Sequence, residues 1–591
     1  MSDRRKTTQG RTGKSAGTGA VYTVSITDLS NLGYGVGRLP ADGDAPGASD
    51  AGSGAAGKVI FVRGAVTGDT VETAVIKETA GYLVGRLVRV VTPSSLREPA
   101  QFCTAPEACG GCVFRHLTYT AELESKHRRV QSAFRQAGLA DVRVLPPLST
   151  GRTAGYRNKG MYPVQAGRNG MQAGFYAAKS HRLIPCADCA LQPPAFAGVV
   201  GTVCRFCDRE HIPAYDETTG AGILRHIYLR TTAAGEIMVC LVINADGLPG
   251  GRAAEARLVD CLLAEQPRTV SVLLNINRRN TNVVLGEQYR KLYGSGWIED
   301  TLCGLRFRLS AGSFYQVNRE GAELLYETAA RMAEVRGGES LWDLYCGAGT
   351  IGLSMLSPGR NARPAQVTGV EIVPEAVACA EQNARLNAEA GRIPPDAAHF
   401  FCADAGDAAA LFAAADTGAA PAPDIVIIDP PRKGTTPELI RELARRGVPR
   451  VVYVSCDPET LARDCALFRA SGYAVGEVQP VDMFPRTGHV EAVCLLSKLQ
   501  SKEHIEIEVK MDELDLTSAE SKATYDEIKA YVLEKHGLKV SSLYISQVKR
   551  KCGLDVGQNY NLSKKEDAKV PQCPPEKEAA IMDALKHFQM I

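Results

Sequence analysis

The sequence predicts an α/β protein: a doubly wound sheet over 316–500, preceded by an amino-terminal β-barrel (21–95) and a mixed α+β central domain (96–315), and followed by a small helical domain (501–591). Three observations predict this. From 316 onward, short apolar strands alternate with helical stretches, the pattern of a mainly parallel sheet covered on both faces. The first of those strands breaks into a glycine-rich turn that opens a helix, Leu341-Trp-Asp-Leu-Tyr-Cys-Gly-Ala-Gly-Thr-Ile-Gly-Leu353. Near the amino terminus, short alternating strands with glycine-bearing turns crowd into one small region, as in a closed barrel.

The totals are consistent with that plan. A chain of 591 residues has room for about three or four domains. Its 45% hydrophobic and 23% charged content is that of an ordinary globular protein. A net charge of +2 excludes a globally basic nucleic-acid binder, so any such surface is local. No apolar run approaches the roughly 18 residues of a membrane span. No apolar segment follows Arg4, Arg5 and Lys6, so no signal peptide is expected. Eighteen cysteines without a secretion signal point to a reducing cytoplasm, where they serve metal or catalysis rather than disulfides. A monomer without membrane association is expected.

Residues 1–20 lack any apolar period and read as a disordered basic arm. An alternating strand from Val21 leads to NLGYGVGRLP, then to an Ala/Gly/Asp filler at 41–57 that reads as a hairpin loop. KVIFVRGAV, GDTVETAVIKE and GYLVGRLVRVV complete the barrel, a shape often used on nucleic acid. Next comes Cys103-x5-Cys109-Gly-Gly-Cys112, with Cys186-Ala-Asp-Cys189 and Cys204-Arg-Phe-Cys207 further on. Closely spaced thiolates with glycines between them can wrap a soft metal centre such as an iron–sulfur cluster. The two later pairs also approximate a zinc pattern. Cys204 and Cys207, however, fall on the apolar face of a predicted helix, where core packing is the expected role. ESKHRRVQSAFRQAG (124–138) reads as a basic amphipathic helix that faces either phosphate or plain solvent. Tyr156-Arg157-Asn158-Lys159 joins an aromatic ring to two cations, a plausible RNA contact.

In the sheet over 316–500, QVTGVEI ends in Glu371, an acid at a strand tip placed for two ribose hydroxyls. FFCAD offers Asp404 at the next strand end for an adenine amino group. Asp343, Glu371 and Asp404 at successive strand ends match a nucleoside cofactor. PDIVIIDPPRKG (423–434) separates methyl transfer from hydride transfer, because Asp429-Pro-Pro resembles the motif that methyltransferases turn toward a target base. VVYVSCDP (451–458) then places Cys456 just past a buried strand, where ligands of open α/β sheets bind. Gly488-His-Val-Glu491 precedes the final strand.

Uracil C5 is a poor nucleophile toward a methyl sulfonium. Thiolate addition at C6 makes an enolate whose charge emerges at C5; after methyl transfer a base must take the C5 proton so that the enzyme is released. This chemistry needs a thiol of lowered pKa and a carboxylate across the ring, and Cys456 and Glu491 are assigned to those roles. Asp429 is placed to hydrogen-bond the uracil N3 edge and Arg432 to meet a phosphate.

Taken together, LWDLYCGAGTIGL, FYQVN, IDPPRKG, VYVSCDP and GHVEAV make residues 21–498 resemble the RNA uracil-5-methyltransferase family. The resemblance implies a TRAM domain for the barrel and a 4Fe–4S cluster on Cys103, Cys109, Cys112 and Cys189, with Cys186 the competitor for the fourth place. It implies an S-adenosylmethionine site lined by Gln316, Tyr345, Glu371 and Asp429, with Asp404 as a further candidate, and Phe314 as a stacking platform for an extruded uracil. Barrel and cluster together mark the ribosomal-RNA branch, so C5 methylation of uridine in 23S ribosomal RNA is expected. Uridine methylation of tRNA is the alternative among enzymes, and a non-catalytic RNA-binding factor the alternative outside them. A cytosine-5 enzyme would carry cysteine after Asp-Pro, and here Arg432 follows Pro431. Residues 501–591 depart from the resemblance. There a capping box, Thr524-x-x-Glu527, opens one helix, and a basic second helix follows from Ser541 or Ser542. The pair reads as a helix-turn-helix that contacts nucleic acid or packs on the catalytic half.

Overall fold

The computed structural model describes residues 19–39, 57–99, 102–105, 108–177, 180–281, 283–407, 412, 416–418, 420–499, 525–552 and 573–588. The basic arm (but for 19–20), most of the Ala/Gly filler and Thr524 of the capping box lie outside these residues. Residues 1–500 form one compact unit and 501–591 another.

Five strands close the barrel in the order β1-β2-β3-β5-β4: β1 Val21–Leu29, β2 Tyr34–Arg38, β3 Val59–Arg63, β4 Thr70–Glu78 and β5 Tyr82–Thr92. Alternation sends Val24, Ile26, Ile60, Val62, Val71, Val75 and Leu83 inward, and these apolar side chains fill the interior. The central region carries a seven-stranded sheet, β6 (Lys159–Gly167), β7 (Gly170–Tyr176), β8 (Leu183–Pro185), β9 (Leu224–Thr231), β10 (Ile237–Ile243), β11 (Thr269–Ile276) and β12 (Gln288–Gly294). Its order is β12-β11-β10-β9-β6-β7-β8. Helix Pro194–Arg209 covers this sheet and buries Cys207, with Cys204 packed alongside, as the apolar spacing predicts. A hairpin, β13 (Ile298–Leu302) and β14 (Leu305–Leu309), leads out of it.

The catalytic half is the second seven-stranded sheet: β15 (Ser340–Leu344), β16 (Gln366–Glu371), β17 (Ala398–Cys402), β18 (Ile425–Ile428), β19 (Arg450–Ser455), β20 (Tyr473–Val481) and β21 (Glu491–Lys498). In the order β17-β16-β15-β18-β19-β21-β20, the first five strands are parallel, and β21 inserts antiparallel between β19 and β20. Its central strands read VVYV, IVII and SLWDL because both faces are covered and every residue is buried.

Helix Tyr119–Gln136, which contains the basic stretch, packs against this sheet domain. Lys126 is buried, and its Nζ donates to Glu122 Oε1 and Asp482 Oδ1, each at 2.7 Å, and to the Phe484 carbonyl at 3.2 Å. Arg129 is paired with Glu459 at 2.7 Å and donates to the Gly488 carbonyl. These two cations of the stretch are spent inside the fold on the segment leading to Glu491. Stranding a buried charge of this kind costs on the order of 3–5 kcal/mol.

In the carboxyl-terminal unit, helices Tyr525–His536, Ser542–Lys551 and Pro575–His587 share a core of Ile528, Val532, Ile545, Val548, Ile581 and Leu585. Ser541 caps the second helix through its side chain. The third helix had no counterpart in the sequence reading. Among the described residues no helix is long and apolar enough to cross a membrane.

Candidate active site

Sheet register brings the predicted thiol and carboxylate together. Ser455, the last residue of β19, pairs with Ala492 on β21. The next residue on each strand is Cys456 and Glu491, so the two are neighbours at one edge of the sheet. Asp429 directly follows β18, the strand on the other side of β19. Burial comes first in raising Glu491 to about 8, and the Asp429 carboxylate adds to it while Arg432 opposes. Asp429 itself is raised to about 7 by burial. The Cys456 thiol is pushed up to about 11 by burial, then by Glu491 and Asp429, with Arg432 pulling the other way. The chemistry asks for a thiol below its ordinary range. Here its neighbours hold the proton on, so it has to be shed as the reaction begins.

In the roles the sequence leads one to expect, nucleophile for Cys456 and base for Glu491, each group would act in its ionised form, which fixes the sign of the pH dependence. With Glu491 raised, its carboxylate is the minority species at neutral pH, so kcat should climb as pH rises through about 8. A pH–rate profile flat across that window would contradict this electrostatic arrangement.

The Asp429-Pro-Pro-Arg-Lys-Gly loop is clamped from the helix after Cys456. Asp464 is fully buried and accepts from Tyr453 Oη at 2.6 Å, from the Thr435 amide at 3.1 Å and from Arg463 Nη2 at 2.6 Å. Arg463 Nη2 also donates to the Lys433 carbonyl, and Thr460 Oγ1 to that of Arg432. Gly434 sits at φ +81° against this clamp, and a Cβ there would stand 2.4 Å from Asp464 Oδ2. The exposed Arg432 side chain is thereby aimed at His489, with Nη2 3.4 Å from Nδ1. Nothing in the sequence marked Asp464, because its partners come from three separate stretches.

Asp343, Tyr345, Glu371 and Asp404 lie at or near the carboxyl ends of β15, β16 and β17. The Glu371 carboxylate accepts from the amides of Gly347 (3.1 Å) and Val373 (3.0 Å), which fixes its direction at the turn. Asp343 is buried, accepts from the Gly352 amide at 2.7 Å, and is raised to about 7 by burial. Tyr345 adopts φ +64°, a strained conformation for a non-glycine residue, and its hydroxyl lies 3.3 Å from Thr435 Oγ1. Asp404 is exposed, and its carboxylate accepts from the Gly406 amide at 2.8 Å. Gln316 is held from the central region: its carbonyl accepts from Asn158 Nδ2 at 2.9 Å. Phe314 beside it is 63% exposed, and Ile372, just past Glu371, is 59% exposed.

The cysteines converge elsewhere in this unit. Cys103, Cys109, Cys112, Cys186 and Cys189 line one cavity of about 130 Å³ together with Arg157 and Gln192. The Cys112 thiol is pushed up to about 12, first by burial and then by Cys189, Cys103 and Cys109, with Arg157 opposing. Among the described residues, no set of three or more His, Cys, Asp or Glu is placed to hold a single metal ion.

Comparison with known proteins agrees with the geometry. Residues 223–499 match the family model for tRNA (uracil-5-)-methyltransferases, and residues 17–88 match the TRAM domain. An uncharacterized RNA methyltransferase of Halalkalibacterium halodurans is 35% identical over 478 residues, 80% of this chain and 96% of the relative. One from Caldanaerobacter subterraneus is 35% identical over 81% of this chain and 99% of its own length. The crystal structure of Pyrococcus abyssi tRNA (uracil-54, C5)-methyltransferase in complex with S-adenosyl-L-homocysteine superposes with a TM-score of 0.61. It is 24% identical, covering 80% of this chain and 99% of its own. With a TRAM barrel ahead of a methyltransferase sheet, and relatives matched over nearly their full length, the chain belongs to the RNA uracil-5-methyltransferase family.

Proposed function

We propose that this protein methylates C5 of a uridine in 23S ribosomal RNA through a covalent adduct between Cys456 and uracil C6. The observation that carries the reading is the side-by-side placement of Cys456 and Glu491 at the edge of β19 and β21, with Asp429 next to them. S-adenosylmethionine supplies an electrophilic methyl group, and Gln316, Tyr345, Glu371, Asp429 and Asp404 are the residues assigned to hold it. Cys456 gives up its proton to solvent and its sulfur bonds to C6, and the electron pair of the C5–C6 double bond moves onto C5 and the ring carbonyl as an enolate. C5 takes the methyl group as the donor's sulfur–methyl bond breaks and its electron pair stays on that sulfur, leaving a neutral thioether. Glu491 then removes the C5 hydrogen as a proton, the C5–C6 double bond re-forms, and the C6–sulfur bond breaks to return the thiolate. Phe314, exposed beside Gln316, is the proposed stacking platform for the extruded base.

For the cysteine cavity we assign a 4Fe–4S cluster on Cys103, Cys109, Cys112 and Cys189. Thiols from separate stretches of the chain line one cavity of about 130 Å³, and a soft thiolate set of that kind is what an iron–sulfur cluster takes. Cys189 is the fourth ligand that the family resemblance implies, and the neighbouring Cys186 thiol shares a hydrogen bond with it. When bound, such a cluster ties the ligand loops together.

A second substrate, tRNA, is favoured by a specific likeness: the Pyrococcus abyssi neighbour, a tRNA enzyme, aligns with 80% of this chain. Barrel and cysteine cavity together favour ribosomal RNA in the bacterial branches of the family resemblance. The deciding experiment offers the protein unmodified 23S ribosomal RNA and unmodified tRNA, each also prepared with 5-fluorouridine. Methyl transfer to the ribosomal RNA and a denaturation-resistant adduct with its fluorinated form are expected. Transfer confined to tRNA would reverse the choice of substrate. No adduct with either would overturn the covalent reading.

A further inference from the structure

The tripeptide Tyr156-Arg157-Asn158 spans the gap between the cysteine cavity and the methylation site. On one side, the Arg157 amide donates to the Leu191 carbonyl, two residues past Cys189, and the Arg157 side chain lines the cavity. On the other, Asn158 donates from its amide to the Val317 carbonyl at 2.7 Å and from Nδ2 to that of Gln316 at 2.9 Å. Tyr156 Oη donates to the Pro485 carbonyl at 2.9 Å, and the Arg157 guanidinium lies 5.9 Å from the ring centres of both Tyr156 and Phe484. Phe484 and Pro485 begin the segment that ends in Glu491. One arginine therefore borders the sulfur cavity and stacks on the strap that carries the proposed base.

Unpartnered donors mark the same place. Arg157 Nε is buried without a hydrogen-bond partner. Tyr162 is fully buried, its hydroxyl also lacks a partner, and Cys189 and Cys186 are close enough to help burial raise it. Leaving a buried donor unsatisfied costs about 1–3 kcal/mol. Arg157, which lines the cavity, and Tyr162, outside its lining but within electrostatic reach of Cys186 and Cys189, are both donors of that kind. The cavity's own Gln192 Oε1 is an acceptor likewise without a partner.

We propose that Arg157 and Tyr162 donate hydrogen bonds to the sulfurs of the cluster held by Cys103, Cys109, Cys112 and Cys189, and that Arg157 also acts as a positioning residue by bracing the Phe484–Glu491 strap. This rests on the iron–sulfur reading above. Hydrogen bonds and positive charge near cluster sulfurs stabilise the reduced, more negative state. The two residues should therefore separate by readout.

The test uses holoenzyme purified without oxygen, with iron content, the midpoint potential of the cluster absorbance, and kcat measured on each variant. Tyr162→Phe removes a donor and touches nothing in the strap, so the potential should move to more negative values while kcat holds. Arg157→Met should shift the potential the same way and lower kcat roughly ten- to a hundredfold, the scale of a small misplacement at a reacting centre. Arg157→Lys keeps the charge without the planar stack, so it should restore most of the potential but little of kcat. Unchanged potentials in Arg157→Met and Tyr162→Phe, at full iron content, would overturn the proposal and leave the cluster standing. Wild-type protein without iron or sulfide would overturn both, while methyl transfer and the fluorouridine adduct would still report on Cys456.

Discussion

Cys456→Ala is expected to lose methyl transfer by a factor of about 10⁴ or more, the scale on which removal of an attacking nucleophile acts. Without sulfur at C6 no enolate forms, and neither Glu491 nor the methyl donor can substitute for the missing electron density at C5. Affinity for RNA should stay within about twofold, because Cys456 is one small, half-buried side chain beside a much larger RNA surface. Single-turnover methyl transfer and filter binding on the same preparation check both halves. A variant that still methylates at a hundredth of the wild-type rate would show that the thiol is not the nucleophile.

Glu491→Gln should fail at a different step. The thiol can still add and the methyl group can still arrive, but no base takes the C5 proton. Turnover should fall about 10²–10⁴-fold, the usual contribution of a general base. The methylated RNA should remain bonded to Cys456 and run with the protein on a denaturing gel, with natural uridine and no fluorine. Because Glu491 is buried, the amide fills the same space and the fold should survive. Free methylated product with no adduct would assign the proton to another base. These two substitutions bracket the reaction, one before the first bond forms and one before the last bond breaks.

The parts of this site that were legible in the sequence are those written in one continuous stretch. SCDP and DPPRKG each state a strand, its end and a chemical group within a dozen residues. What was not legible is what joins distant stretches. The bond from Lys126 to Asp482 spans 356 positions and that from Arg129 to Glu459 spans 330. A sequence pattern shows two cations on a helix and has no means of showing the acids that meet them. Hence the helix read equally well as phosphate-facing or as solvated surface. The thiol pKa failed for the same reason: a strand-end cysteine says nothing of the two carboxylates that adjoining strands set beside it.

The turn between β1 and β2 reaches the active-site segment directly. Asn31 Nδ2 donates to Glu459 at 3.3 Å, and a Cβ added to Gly488 would come within 2.8 Å of the Asn31 carbonyl. Such an approach leaves the barrel no slack against the strap that ends at Glu491. If the RNA binds the barrel as well as reacting, as proposed above, at Cys456, the fixed distance between the two would select its target by the span between two features of the folded RNA. A barrel reattached on a loose tether would then keep its grip and lose its measure.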